Sequence, residues 1–187
     1  MIIVLIGPGG VGKGTIARRL VERDPRLWLS RSWTTRAPRG GERGDEYEYV
    51  SREAFLAAVA ADQFLEWAEF HGNLYGTPIP PALPGRDLLL EIEVQGAIQI
   101  RRRFPDATVL LVVAPSSSDL EERLRGRGDG DEHVARRLAS APQELAAGRA
   151  IANAEVVNDD VERAADEILS ILEGIRRDPH APASQRT

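Results

Sequence analysis

The sequence predicts an α/β fold in which a mainly parallel five-stranded core sheet is flanked by helices and carries a small inserted subdomain and a short lid. Apolar runs typical of buried strands recur along the chain, and stretches with helical apolar spacing lie between them. This alternation of strand-like and helical patterns is interrupted between residues 32 and 84, where Arg, Gly, Glu and Tyr are frequent. The runs interpreted as core strands are residues 2–6, 88–94, 108–114 and 155–157.

We expect a single domain over residues 1–177, because a chain of 187 residues suffices for one well-buried core. Residues 178–187 contain two prolines and no apolar periodicity, so we expect a disordered tail there. The predicted core comprises residues 1–31, 85–125 and 148–177, with the inserted subdomain at 32–84 and the lid at 126–147. Helices are predicted at 119–125, 132–147 and 161–175.

Composition argues against several classes of function. The chain has no cysteine, so neither disulfides nor thiolate metal sites are expected, and its three histidines are too scattered for a histidine-rich metal cluster. No apolar run approaches the roughly 20 residues that span a bilayer. A net charge of −5 argues against a general nucleic-acid binder. Because the N-terminus also lacks a basic leader, we expect a cytoplasmic protein with no membrane or nucleic-acid partner.

The strongest single signal is a glycine-rich segment between the first strand and a helical stretch. Glycines let backbone N–H groups point at phosphate oxygens, the helix adds the positive end of its dipole, and a lysine reaches the β and γ phosphates. We interpret the segment as an ATP-binding loop, since the alternative, a plain glycine turn, needs neither the lysine nor the spacing. It comprises Gly7, Pro8, Gly9, Gly10, Val11, Gly12, Lys13, Gly14 and Thr15, and Lys13 is the only lysine of the sequence.

The residue after this lysine departs from the strict phosphate-loop pattern. Gly14 stands where Ser or Thr would ligate Mg²⁺, and Thr15 follows it. We therefore expect Mg²⁺, as the cofactor of ATP, to be held mainly by nucleotide phosphates and water, and we assign it no protein ligand.

A second group of charges lies in the inserted segment. Arg36, Arg39 and Tyr47 occur within a short stretch. Two guanidinium groups and a phenol are suited to hold a phosphomonoester dianion. Taken alone, the stretch is equally well interpreted as a solvated arginine loop.

Further distinctive segments accompany these two motifs in a fixed order. They are Ser32 to Arg39, Phe64-Leu65-Glu66-Trp67-Ala68, Gly72-Asn73-Leu74-Tyr75-Gly76-Thr77, Gln95-Gly96-Ala97, Arg123 to Gly128 and Val157-Asn158-Asp159-Asp160. Together with the phosphate loop they resemble guanylate kinases over nearly the whole chain, from Ile3 to about Ile175. The resemblance implies that residues 32–84 are a GMP-binding subdomain.

The same resemblance implies roles for individual residues. The GMP phosphate would be held by Arg36, Arg39, Tyr47 and Tyr75, and the guanine would face Ser32, Glu66 and Thr77. Guanine offers two adjacent donors that a carboxylate such as Glu66 can accept, whereas adenine lacks that pair. A site that reads polar groups in this way can discriminate by roughly four to five orders of magnitude. Asn158 resembles the adenine-side position for ATP, although the start of a helix is an alternative for it.

Two glutamates are further candidates for the predicted nucleotide-binding site. Glu91 and Glu93 alternate along the predicted strand 88–94, so both would point to one face near its carboxyl end, where open α/β sheets bind ligands. Candidate roles are guanine or ribose binding for Glu91 and ordering of the Mg²⁺ water shell for Glu93. The alternative is a pair of strand-end charges that face solvent.

The glycine-rich, charged interruption at residues 126–131 is typical of a mobile lid, and arginines lie on and beside it. Phosphoryl transfer spreads negative charge over the equatorial oxygens, so inward-facing guanidinium groups would stabilise it. The residues predicted to act in catalysis are Lys13, Arg36, Arg123, Arg127 and Arg137.

The predicted reaction is ATP + GMP ⇌ ADP + GDP, a step of purine nucleotide metabolism with Mg²⁺ as cofactor. ATP and GMP are the expected partners, dGMP is a further candidate acceptor, and both a monomer and a homodimer stay open. One rival is a related phosphate-loop kinase of a ribosyl phosphate, which needs no guanine-reading carboxylate. The other is a non-catalytic guanylate-kinase-like binding module, in which the loop lysine and lid arginines are typically lost.

Overall fold

A computed structural model describes residues 1–38, 44, 47–128 and 130–177. Strands and helices alternate along most of this chain. In order, they are β1 (Ile2–Ile6), α1 (Lys13–Arg23), β2 (Leu27–Leu29), β3 (Ser32–Thr34), β4 (Tyr47–Tyr49), α2 (Arg52–Ala60), β5 (Phe64–Phe70), β6 (Asn73–Pro78), β7 (Asp87–Glu91), α3 (Val94–Arg103), β8 (Thr108–Val113), α4 (Ser117–Gly126), α5 (Asp131–Arg149), β9 (Ala154–Val157) and α6 (Val161–Arg177).

The core sheet has five strands in the order β2-β7-β1-β8-β9, and every neighbouring pair is parallel. The predicted α/β fold is therefore confirmed. Strand β1 lies at the centre of this sheet, and the segment that follows it leads directly into α1. The carboxyl ends of β1 and β7 thus share one edge, which is where ligands of open α/β sheets bind.

Both faces of the core sheet are covered by helices. Along β1, Ile3 and Leu5 pack in a cluster with α1, α4 and α6, whereas Val4 and Ile6 pack with α3 on the opposite face. All four side chains are fully buried, as expected for a strand with no solvent-facing side. Within the described ranges, none of the helices is both long and apolar enough to cross a membrane.

A second sheet lies in the inserted segment, with four strands in the order β4-β3-β6-β5. It is mixed, because β3 and β4 are parallel while β6 runs antiparallel to both β3 and β5. Helix α2 packs on it through Phe55, whose ring stacks on Phe64 at a centroid distance of 4.7 Å. Gly76 permits this contact, since a Cβ atom there would lie 2.9 Å from Phe55.

The structure corrects some predicted boundaries. The predicted strand 88–94 ends at Glu91, and Glu93 is instead the N-cap residue of α3. Helices α2 and α3 and the three-residue strand β2 had no counterpart among the predicted elements. The predicted tail, residues 178–187, lies outside the described residues. The division into core, subdomain and lid stays a prediction.

A network of ion pairs joins α6 to the start of the core sheet. The Asp24 carboxylate is almost fully buried and accepts hydrogen bonds from Arg26 at 2.8 Å and Arg176 at 2.7 Å. Arg176 also pairs with Asp87, the first residue of β7. Burial alone would raise the pKa of Asp24, but the hydrogen bonds from Arg26 and Arg176 outweigh it and lower that pKa below its ordinary value of 3.8.

We predict that Asp24→Asn lowers the free energy of unfolding by about 3 kcal/mol at pH 7, because it leaves the partly buried Arg176 guanidinium with less compensating charge. Since the folded-state pKa is depressed, the Asp24 contribution is present above pH 3.8 and is lost as the pH falls further. Urea denaturation at pH 7 and pH 3 measures both effects. The matched control is Asp166→Asn, which removes an exposed pair with Arg23 and should cost less than about 0.5 kcal/mol.

Candidate functional site

The glycine-rich loop between β1 and α1 has positive φ angles, which favour glycine, at Gly7, Gly10 and Gly12. Gly12, the N-cap of α1, has φ 94° and ψ 17° in the left-handed region. At Gly7 a Cβ atom would lie 2.1 Å from the Val112 carbonyl oxygen. The loop therefore passes directly against β8 and then turns into the helix, so that the first turn of α1 opens towards the cleft.

Lys13 is folded back over this loop. Its side chain is buried, and its Nζ atom donates to the Gly7 carbonyl at 2.6 Å and to the Pro8 carbonyl at 3.4 Å. The ammonium thus lies inside the curve of the loop, where phosphate oxygens would meet both it and the backbone N–H groups.

Two side chains support the loop from the β9 side. Asn158 is 3% exposed, and its Nδ2 atom donates to the Val11 carbonyl at 2.7 Å. Arg123 donates from Nη2 to the Asn158 carbonyl at 2.8 Å and from Nη1 to the Val11 carbonyl at 3.4 Å. Both residues therefore hold the loop in place from outside the cleft.

The loop borders an open cleft of about 590 Å³ between the two sheets. Cations from several elements face it: Lys13 and Arg18 from α1, Arg36 from the segment after β3, and Arg127 and Arg137 from the region of α4 and α5. Carboxylates and phenols lie among them, namely Glu91, Glu93, Tyr47 and Tyr75. The chemistry of this lining suits a ligand with several negative charges and some hydrogen-bond donors.

A narrower pocket continues from the cleft to the second sheet and contains a buried carboxylate. Thr77 Oγ1 donates to Glu66 Oε1 at 2.6 Å, and Ser32 Oγ lies 3.5 Å from Thr77 Oγ1. All three side chains are buried. Gly96 of α3 makes room for the group, because a Cβ atom there would lie 2.2 Å from Glu66 Oε2.

Tyr47 and Tyr75 line both this pocket and the cleft, and Arg36 lies beside them on the cleft side. The Arg36 guanidinium lies 5.5 Å from the ring centroid of Tyr47 and 5.8 Å from that of Tyr49. The Tyr47 and Tyr75 rings meet edge to face at 6.0 Å. Burial, followed by the nearby carboxylates Glu91 and Glu93, raises the pKa of Tyr47 well above its usual range. Its phenol therefore stays a neutral hydrogen-bond donor at physiological pH.

Two glutamates lie between the loop and the pocket. Glu91 is the last residue of β7, and its Oε2 atom would be 3.2 Å from a Cβ atom on Gly14. Burial raises the pKa of Glu91, while the charge of Lys13 opposes that shift. The Oε2 atom of Glu93 is buried and has no hydrogen-bond partner among the described residues. Both glutamates line the cleft and would border a ligand bound there.

Comparisons with known proteins show the family to which the chain belongs. A family model described as guanylate kinase matches residues 1–175. A guanylate kinase from Synechocystis sp. (strain ATCC 27184 / PCC 6803 / Kazusa) is 47% identical over 177 residues, which cover 91% of this chain and 92% of the relative. One from Parasynechococcus marenigrum (strain WH8102) is 48% identical over 180 residues, covering 93% and 96%.

The chain belongs to the guanylate kinase family. A crystal structure of guanylate kinase from Anaplasma phagocytophilum agrees in fold, with a TM-score of 0.77 and 31% sequence identity, and it covers 98% of this chain and 88% of that one. The family resemblance of the sequence motifs is therefore confirmed.

Within this guanylate kinase fold, most of the predicted site residues come together. Ser32, Glu66 and Thr77 form one buried group, and the cleft is lined by Lys13, the loop glycines Gly9, Gly10, Gly12 and Gly14, Thr15, Arg36, Tyr47, Tyr75, Glu91, Glu93, Arg127 and Arg137. Arg123 and Asn158 support the loop instead of lining the cleft. Arg39 lies outside the described residues. The roles assigned to individual residues stay predictions.

The sequence analysis missed several residues of the cleft. Arg18, Ser30 and Arg31 line it, and Gly96 provides the space for Glu66. Helical spacing could have indicated Arg18, because it lies one turn after Thr15 in α1. Nothing in the local sequence marks Ser30 or Arg31, since only the crossing of the chain between the two sheets brings them to the cleft.

Burial strongly shifts the pKa of the Glu66 carboxyl group. Loss of solvation raises its pKa to about 7, against an ordinary value of 4.5, although hydrogen bonds from Thr77 oppose the shift and the charge of Glu93 adds to it. Because the folded-state pKa lies above the unfolded value, the protonated carboxyl stabilises the fold fully below pH 4.5. That contribution is lost as the pH rises through 7.

We predict that Glu66→Gln makes the protein more stable than the wild type at pH 8, by about 2–3 kcal/mol, because the amide keeps the packing without a buried charge. At pH 5 the gain should be below about 1 kcal/mol. Urea denaturation at both pH values measures it. Glu69→Gln on the same strand is the control, since Glu69 is an exposed partner of Arg52. A pH-independent effect of Glu66→Gln would contradict the perturbed pKa.

Proposed function

We propose that this chain transfers the terminal phosphoryl group of ATP to GMP, giving ADP and GDP. The observation that carries this proposal is that one cleft contains both a lysine-bearing phosphate loop and a buried carboxylate, Glu66, held by Thr77. The first suits a nucleoside triphosphate and the second suits the edge of a guanine base. The named relatives, which are guanylate kinases, support the same reaction.

ATP binds through the loop, from Gly7 to Thr15. Backbone N–H groups and the start of α1 surround the phosphates, and Lys13 adds the charge that bridges the β and γ phosphates. The contacts of Asn158 and Arg123 with Val11 keep the loop in shape. Asn158 is also the candidate for the adenine side, by family resemblance.

GMP binds between the second sheet and the loop. Its guanine donates from N1–H and the exocyclic amino group to Glu66, while Ser32 and Thr77 complete the polar edge. Arg36, Tyr47 and Tyr75 hold the phosphate, together with Arg39. AMP in this pocket would leave a buried carboxylate unpaired, which is the physical basis of acceptor selectivity.

Mg²⁺ accompanies ATP in this proposal. Among residues 1–38, 44, 47–128 and 130–177, no group of three or more His, Asp or Glu side chains is placed to ligate a metal. The space beside Gly14 is instead approached by Glu91, and Glu93 has an unpartnered oxygen, so these carboxylates fit the water shell of a phosphate-bound ion. The ion neutralises charge on the β and γ phosphates when bound.

The transfer itself needs positioning and charge stabilisation. Arg127 and Arg137 face the phosphate end of the cleft and can meet the charge that develops on the transferred group. Closure of residues 126–147 as a lid would exclude water and so limit hydrolysis of ATP. We place the reaction in purine nucleotide metabolism in the cytoplasm, where both substrates are available.

Two other functions fit the geometry less well. A kinase of ribosyl phosphates would use Lys13 but has no need for Glu66 buried beside Thr77 and Ser32. A non-catalytic binding module has no need for a buried loop lysine together with Arg127 and Arg137 facing the same cleft.

We predict that Lys13→Ala reduces phosphoryl transfer to GMP by at least about a thousandfold, because it removes the only ammonium that reaches the phosphates. The variant should stay folded, since the Gly7 and Pro8 carbonyls can be solvated from the cleft. A coupled assay of ADP release measures the rate, and circular dichroism checks the fold. Full turnover by this variant would remove the phosphate-loop assignment.

We predict that Glu66→Ala lowers the preference for GMP over AMP by at least about a hundredfold, because the buried acceptor of the guanine donors is lost. Rates with GMP, AMP, UMP and CMP as acceptors measure this preference, and they also test the proposed reaction in the wild type. Glu69→Ala on the same strand provides the matched control. Unchanged discrimination in Glu66→Ala would reject the guanine-reading role.

A further inference from the structure

Arg137 is the most deeply placed arginine of the cleft. Its side chain belongs to α5 and is 8% exposed, and its Nη1 atom is buried without a hydrogen-bond partner in the described part of the chain. A Cβ atom on Gly9 would lie 2.9 Å from that Nη1 atom. The unpartnered end of the guanidinium therefore faces the phosphate loop, where an oxyanion would accept its hydrogen bonds.

An aromatic ring lies against this guanidinium. The Phe70 ring, at the end of β5, has its centroid 5.1 Å from the Arg137 Cζ atom, within the range of a cation–π contact. The same side chain also makes a weak hydrogen bond, in which Nε donates to His133 Nε2 at 3.5 Å. Phe70 therefore lies against the guanidinium that carries the unpartnered Nη1 atom.

Phe70 also belongs to the acceptor pocket. Its side chain lines that pocket together with Glu66 and Tyr75. The His71 ring packs edge to face against it at 4.2 Å, and His71 has a left-handed backbone with φ 49° in the turn between β5 and β6. One side chain thus contacts both the acceptor pocket and the arginine that faces the phosphate loop.

We infer that Phe70 is a positioning residue, which holds Arg137 towards the phosphate loop and couples occupation of the acceptor pocket to phosphoryl transfer. This inference rests on the proposed function. An acceptor base in the pocket limits the motion of the Phe70 ring, and the ring in turn fixes the guanidinium that meets the transferred phosphoryl group. An aliphatic side chain would fill the same space but would not orient a planar cation.

The decisive measurement is a double-mutant cycle on kcat for transfer from ATP to GMP. Phe70→Leu should lower kcat about tenfold in the wild-type background, with the KM for ATP within about twofold of its original value. In an Arg137→Ala background the same substitution should change kcat by less than about twofold. Phe70→Tyr keeps the ring and should restore at least about half of the wild-type kcat.

Phe104→Leu is the matched control, because Phe104 forms a comparable contact with Arg103 at 5.5 Å outside the cleft. It should leave kcat within about twofold of the wild-type value.

Phe70→Met replaces Phe70→Leu if the latter is unstable, and the Arg137 Nε–H resonance, which a neighbouring ring shifts, gives a second readout. Equal losses in both backgrounds, or no loss in either, overturn the inference. Failure of the proposed function is distinct, since the wild type itself would then not phosphorylate GMP.

Discussion

The buried carboxylate of Glu66 is the constraint on which the acceptor side of this cleft depends. Its hydrogen-bond donor is the neutral hydroxyl of Thr77, so the pocket holds an acid whose ionised form is poorly solvated. A ligand that brings two N–H donors would make ionisation favourable. Under the proposed function, acceptor selectivity and local instability would then have the same origin, because a side chain that suited the empty pocket better would bind guanine less well.

Helix α3 connects this pocket to the core. Glu93 occupies its N-cap position, Gly96 admits the Glu66 carboxylate, and Ile100 is fully buried against the core sheet. On the same helix, Gln99 exchanges hydrogen bonds with the backbone of Trp67, the residue after Glu66. Strand β5, which carries Glu66, is thus fixed to the same scaffold that positions the glycine-rich loop.

Sequence patterns predicted the features that depend on local periodicity. The stripe of Ala164, Ile168 and Leu172 is buried as α6 requires, and Ile3 to Ile6 of β1 are fully buried before the glycine loop. The predicted strand 88–94 was too long, because the alternation of apolar and polar residues continues past β7 into the first turn of α3. Contacts between distant segments gave no local signal: Asn158 reaches Val11 across 147 positions, and Phe70 meets Arg137 only through the fold.

Because β1 is buried on both of its faces, it also limits which substitutions this protein tolerates. Ile3 and Leu5 pack in one hydrophobic cluster, and Val4 and Ile6 pack in the other. A change in the size of any of these four side chains therefore requires a compensating change in the residues packed against it. Substitutions at the periphery, such as those in the exposed pairs of Arg19 with Glu162 and of Arg163 with Glu167, should change stability far less than substitutions in β1. Sequence change is therefore tolerated more readily there than next to the glycine loop.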